Sequence, residues 1–317
     1  MRLWPLVFLL VSCLAAAQSY PAKPVRILVP AQPGGGLDLV GRTMADQLGR
    51  AFDQPFIVEN SAGGGGSIAT MIVARSAPDG YTLMVGYVGT HATNPATRKV
   101  YYDPVAQFTP IAMVGATPNL LLVQPGLGVK DLKGLVERAK ANPGKLTYAS
   151  GGIGTLNHLI WEQFCGAAGI KAVTVHYRGI GPAFIDLLSG HVDAMTPGLA
   201  AAMPHLRAKK AVPLAITGTK RHPLLPDVPT FAESGYPGFD GVQWYGIVGP
   251  AKMPAEITSQ LNAEINKVLA APALRERLSA EAIDPMPMSP AEFGRFIQSE
   301  IARWSKLARE HGIKLEE

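Results

Sequence analysis

The sequence predicts an α/β protein of two lobes with a cleft between them. Three observations carry this. Apolar β-branched runs alternate with helix-period stretches along most of the chain. A strand that opens through bare glycines onto a helix start occurs at Val25–Arg42 and again at Lys145–Phe164. The chain is also long for a single core and natural for two.

The first unit is Val25-Arg-Ile-Leu-Val29, a short buried strand ended by Pro30 and Pro33, then Gly34-Gly-Gly36. Asp38 stands at an N-cap or first-turn position, and Val40, Met44, Leu48 and Ala51 mark one helix face. A helix N-terminus there presents unpaired amides and the positive end of a dipole, which suits an anion. A β-carbon at Gly35 or Gly36 would block backbone approach to a ligand, with strain added wherever φ is positive. The same stretch also fits a tight βα turn that binds nothing. Pro55–Glu59 is a second strand, leading through Asn60-Ser-Ala-Gly-Gly-Gly-Gly-Ser67 to a helix at Ile68–Arg75. Thr82–Tyr87 is a third, followed by a polar run. Ligands in open α/β sheets sit beyond the carboxyl ends of strands, so Thr90 and His91 are cleft candidates, with a merely solvated loop as the alternative for His91.

A second series starts at Asn119–Gln124, with a helix at Leu132–Ala141 and a strand at Lys145–Ala149. Ser150-Gly-Gly-Ile-Gly-Thr155 then leads into a helix from Leu156. Thr155 is placed to cap that helix, Ser150 to offer its hydroxyl and amide, and His158 lies one turn in. A plain turn is again the alternative. Ala172–Tyr177, Val192–Met195, Leu214–Thr217 and Gln243–Val248 read as strands, with Pro182 at a helix N1 position. Ala255–Leu269, Pro272–Ala280 and Pro290–His311 read as helices. The chain crosses between lobes near 115–122 and returns near 240–248. This gives domain 1 as 18–118 with 243–317 and domain 2 as 119–242, and two crossings make a hinge.

Residues 1–17 read as a secretory signal peptide: Arg2, an apolar run from Leu3 to Leu14, and Ala15-Ala-Ala17 before cleavage. The run is too short to remain as a membrane span. Leu10-Val-Ser-Cys13 resembles a lipoprotein box, but its apolar region is short and the alanine site favours ordinary cleavage. Loss of Arg2 leaves 28 basic against 24 acidic side chains, net +4, scattered apart from Lys209-Lys210, which is not a nucleic-acid surface. Cys165 is then the lone cysteine, so no internal disulfide or zinc-finger type of metal site is expected, and it reads as buried packing. A Ser150–His158–Asp193 triad lacks the Gly-x-Ser-x-Gly elbow. Gly34-Gly-Gly-Leu-Asp38 lacks the dinucleotide G-x-G-x-x-G spacing. No cofactor and no catalysis are therefore expected.

Tyr20-Pro-Ala-Lys-Pro-Val-Arg-Ile-Leu-Val-Pro30, Pro33-Gly-Gly-Gly-Leu-Asp38, Ala77-Pro-Asp-Gly-Tyr-Thr-Leu83, Tyr102-Asp-Pro104, Pro143-Gly-Lys-Leu-Thr-Tyr-Ala-Ser150, Gly154-Thr155 with His158, and Leu224-Leu-Pro-Asp-Val-Pro-Thr230 occur in order. Together they resemble the extracytoplasmic substrate-binding subunits of tripartite tricarboxylate transporters, the Bug family. The resemblance covers nearly all of the mature chain. It implies a type II periplasmic-binding-protein fold that closes on a small organic carboxylate in the periplasm. It also implies a large and a small membrane subunit as partners. We expect a monomer. A sensor that presents the ligand to a membrane kinase would use the same binding chemistry. By the resemblance, Ala31, Gly35, Gly36, Ser150, Gly154 and Thr155 grip a carboxylate through amides, hydroxyls and waters, with Thr90, His91 and His158 beside them. Departures occur at Pro197 and Gly198, which lack polar side chains, and at Ile153 and Asn157. They touch the part of the cleft expected to read the far end of the ligand.

Overall fold

A computed structural model describes residues 20–313. The expected signal segment 1–17, with Cys13, lies outside them. From the N-terminus the elements are β1 (Val25–Val29), α1 (Gly36–Phe52), β2 (Phe56–Asn60), α2 (Ser67–Ala74), β3 (Thr82–Tyr87), α3 (Asn94–Thr97) and β4 (Phe108–Pro118). The next series is β5 (Leu120–Val123), α4 (Leu132–Ala141), β6 (Leu146–Ser150), α5 (Leu156–Ala168), β7 (Ala172–His176), α6 (Ile180–Ser189), β8 (Ala194–Met195), α7 (Leu199–Arg207) and β9 (Val212–Ile216). The chain ends with β10 (Val242–Pro250), α8 (Ala255–Ala270), α9 (Pro272–Ala280), β11 (Asp284–Pro285) and α10 (Pro290–Glu310).

Two sheets result. One has the order β11-β4-β10-β3-β1-β2, the other β7-β6-β8-β5-β9. Each sheet with its helices forms a lobe. The runs β1–β2–β3 and β7–β6–β8 are parallel, so the loops after β1, β2, β3, β6 and β7 all leave carboxyl ends. Buried β-branched and aliphatic residues explain these strands: Ile27, Leu28, Val29, Leu83, Met84 and Val85 are fully buried. Each such side chain gains about 1.5–3 kcal/mol from leaving water. Val40, Met44 and Leu48 pack α1 on this sheet. Ala51 does not join them. It is exposed in the last turn, before Asp53 turns the chain out of the helix at φ 50°.

The lobes share one hinge. β4 passes through Asn119 into β5, and β10 returns beside it, antiparallel from Phe108↔Pro250 to Pro118↔Val242. The two crossings are therefore neighbouring, hydrogen-bonded strands. β4, which carries Pro110, Gly115 and Pro118, is not among the strands expected from the sequence. The sheet tolerates Pro110 because the ladder with β10 slips register between Ile247 and Val248, opposite it. Likewise α7 carries Pro204 in its interior, and α6 begins at Ile180, so Pro182 is its third residue. α10 starts with a capping box, Ser289 with Glu292. It presses Phe293, Ile297 and Trp304 into the core behind the hinge. There the Glu300 carboxylate accepts both indole N–H groups, Trp244 at 3.1 Å and Trp304 at 3.0 Å. Burial raises its pKa against those two donors and Arg303.

Candidate functional site

The first-lobe loop is organised by Asp38. This buried carboxylate, in the first turn of α1 rather than at its cap, accepts the Gly34 N–H at 2.9 Å, Arg42 Nε at 2.9 Å and Asn60 Nδ2 at 3.0 Å. Burial alone would raise its pKa, but these three donors hold it below the usual carboxylate range. The same Asn60 amide reaches the Ala31 carbonyl at 3.2 Å. The N-cap is Gly35, with no side chain to satisfy the first amides of α1. Gly35 is exposed, and nothing lies near the place where its β-carbon would be. Positive φ belongs to Gly34, at 93°; Gly35 is at −94°. Gly36 instead needs to be small because a β-carbon there would sit 2.8 Å from the Tyr245 hydroxyl.

Thr90 and His91 turn inward. Thr90 is fully buried, and its hydroxyl bonds the Tyr87 backbone and His91 Nδ1, the latter at 2.8 Å. His91 is fully buried edge-on to Phe108, with ring centroids 4.8 Å apart. Burial pushes its pKa down to about 3, so it stays neutral. The pair thus supports the loop from beneath, out of solvent, with His91 Nε2 buried and without a partner. At this end of β3 the residue that reaches outward is Tyr87, whose hydroxyl donates to the Gly65 carbonyl at 3.1 Å. Its neighbour on β10 is Tyr245.

In the second lobe the serine-glycine loop is also largely self-satisfied. The buried Ser150 hydroxyl donates to Gly152 O at 2.9 Å and accepts Gly152 N–H at 3.1 Å. The Gly154 N–H is taken by His158 Nδ1 at 3.1 Å, which leaves His158 Nε2 to face Glu162 at 3.5 Å. Thr155 occupies the N-cap of α5, but its hydroxyl does not cap. It donates to Gly152 O at 2.7 Å and contacts Asn157 Oδ1. That leaves the buried Asn157 Nδ2 without a partner beside Gly151. The Asn157 carbonyl is fixed from below by Tyr148 at 2.7 Å and Thr196 at 2.8 Å. As in α1, the first amides of α5 have no side-chain cap.

Contacts link the two loops across the lobes. A β-carbon at Gly66 would lie 3.1 Å from Pro30, at the start of the first loop. Gly65 abuts Asn94 and Arg98, and Arg98 Nη2 donates to Ile153 O at 2.9 Å in the second-lobe loop. Thr97 reaches Gly154 O at 3.4 Å. The structure therefore ties the start of the first loop at Pro30, through Gly66, Gly65 and Arg98, to Ile153, and Thr97 to Gly154, in the second-lobe loop that Ser150 and His158 support. Sequence reasoning missed Tyr245, Tyr87 and Arg98. The first belongs to a strand two hundred residues away from Gly36, and only pairing of β10 with β3 reveals it. Among the described residues no group of three or more His, Cys, Asp or Glu side chains could hold a metal. Cys165 is half-buried against the core, and burial raises its thiol pKa to about 12.

The glycines give distinct expectations. Gly35→Val should keep its melting temperature and lose ligand affinity by tenfold or more. Gly36→Val should lose both, since displacing the Tyr245 ring costs about 1–3 kcal/mol. Thermal melts with calorimetric titration check this, and unchanged affinity in Gly35→Val would place the ligand away from this loop.

Two lobes, a two-strand hinge and uncapped helix N-termini from both lobes define a solute-binding protein of the two-domain periplasmic type. Residues 40–313 match the model of the tripartite tricarboxylate transporter family receptor, and the chain belongs to this family. It is similar to protein BugT of Bordetella pertussis, with 36% identity over 95% of this chain and 93% of that protein. In structure it is similar to R. palustris Rpa4515 with adipate, at 35% identity and TM-score 0.88, covering 93% of this chain and 99% of the other. MatC from Rhodopseudomonas palustris with bound malate gives 33% identity and TM-score 0.83, covering 91% and 99%.

Proposed function

We propose that this chain captures a small organic carboxylate in its inter-lobe cleft and delivers it to the large and small membrane subunits of a tripartite transporter. The observation that carries the reading is the pair of N-termini without side-chain caps, α1 from one lobe and α5 from the other, whose preceding loops are linked through Gly66, Gly65 and Arg98. Both offer amides and a positive dipole end to an anion. The adipate and malate of the related structures agree in ligand class. The grip consists of Ala31, Gly35, Gly36, Thr155, the Asn157 amide and the Tyr245 hydroxyl. Ser150, Gly154, His158, Thr90 and His91 shape the loops. The lobes are 18–118 with 243–317 and 119–242. The chain is exported through its signal peptide, acts as a monomer in the periplasm and catalyses nothing. A thermal-shift screen of the mature protein tests this. Mono-, di- or tricarboxylates should raise its melting temperature; stabilisation by sugars or cations alone would overturn the reading.

A further inference from the structure

Arg98 follows the short helix α3 of the first lobe and lies half-buried where the two lobes meet. Its first-lobe side is a fixed backing. The Tyr87 hydroxyl and Asn94 Nδ2 both donate to the Gly65 carbonyl, at 3.1 and 2.8 Å. Arg98 Nη1 lies 3.2 Å from the place where a Gly65 β-carbon would be. On the other side Nη2 donates to Ile153 O at 2.9 Å, in the second-lobe loop that opens α5. Among the described residues this is the one hydrogen bond of the guanidinium, and Nε is buried without a partner. No carboxylate of the described residues pairs with it, whereas Arg26, Arg42, Arg50, Arg221 and Arg303 each have one. A guanidinium that served the first lobe alone would bond within that lobe. This one spends its hydrogen bond across the gap.

We infer that Arg98 is a positioning residue for ligand capture: it latches the closed lobes through the Ile153 carbonyl and slows ligand release without touching the ligand. This rests on the carboxylate reading above for its probe, and not on which acid is held. Arg98 and Ile153 belong to different lobes, so their bond exists when the lobes meet and gives way to water when they part. A ligand enters before the latch forms and leaves after it breaks. The latch therefore acts on the dissociation rate and leaves the association rate alone. The donor is charged, which strengthens the bond, and the acceptor is backbone, fixed in the loop that opens α5. Thr97, the preceding residue, adds a longer contact to Gly154 O at 3.4 Å.

The test is stopped-flow measurement of the association and dissociation rates of adipate and of malate with the mature protein, Arg98→Gln and Arg98→Lys. Arg98→Gln should release both acids about tenfold faster, by the same factor, with association rates changed less than about twofold. Arg98→Lys keeps a charged donor without the planar fork and should fall between the two. An unchanged dissociation rate in a folded Arg98→Gln protein would overturn the latch. So would a loss carried by slower association, which marks a distorted loop, or unequal factors for the two acids, which mark direct contact of Arg98 with the ligand. Those results leave the carboxylate reading standing. Binding of no carboxylate at all by the unmutated protein would remove both.

Discussion

Gly154→Ala should weaken carboxylate binding about a hundredfold while leaving both lobes folded. Gly154 has φ 73°, and a β-carbon there would fall on the Thr97 hydroxyl and 2.7 Å from the Thr97 β-carbon. Rotating the threonine moves its oxygen but not that carbon. The two residues belong to different lobes, so the clash exists only when the lobes meet. The backbone strain, by contrast, exists in every state and costs about 1–2 kcal/mol of stability. A variant whose lobes meet in one molecule in a hundred binds a hundredfold more weakly, or about 3 kcal/mol. Calorimetric titration checks the loss. The double variant Gly154→Ala with Thr97→Gly should recover affinity but not melting temperature. Failure to recover would show that the loss came from distortion of the loop itself.

Trp244→Ala should cost about 3–5 kcal/mol of stability, as for other large-to-small core changes of this size. The indole is fully buried on the hinge strand β10, edge-on to Phe293 and Phe296. It also donates to Glu300. This adds a pH signature. The folded-state pKa of Glu300 is raised, so folding favours the protonated acid, and its contribution is lost as pH rises through the folded value. Removing one of the donors that lower this pKa raises it further. The penalty of Trp244→Ala should therefore be smaller near pH 4 than near pH 8 in chemical denaturation, and a pH-independent penalty would contradict the Glu300 contact.

Much of the scaffold was legible in the sequence because local patterns were unambiguous. β3, α4 and α9 lie where periodicity and flanking Gly, Pro and Asn residues put them. β4 was hidden because its prolines are acceptable only beside a partner that slips register, which is a property of the pair and not of either strand. In the site, the glycine loops and helix starts were readable, since bare glycines before an apolar period signal an open N-terminus. The roles of individual polar side chains were not. Ser150, Thr155 and His158 have groups suited to a ligand, yet the loop uses them on itself. Residue type fixes how many hydrogen bonds a side chain can make, but the fold decides who receives them. Tyr245 was invisible for the complementary reason, as only the pairing of β10 with β3 places it against Gly36.

The central claim is that one carboxylate is held by backbone amides of both lobes at once. Hydrogen–deuterium exchange on the mature protein, freed of co-purified ligand and compared with and without saturating adipate or malate, reads those amides directly. The account predicts slowed exchange in two separate segments, 33–39 and 151–159, in the same titration. Protection of only one segment, or of neither while the ligand is bound, would contradict it.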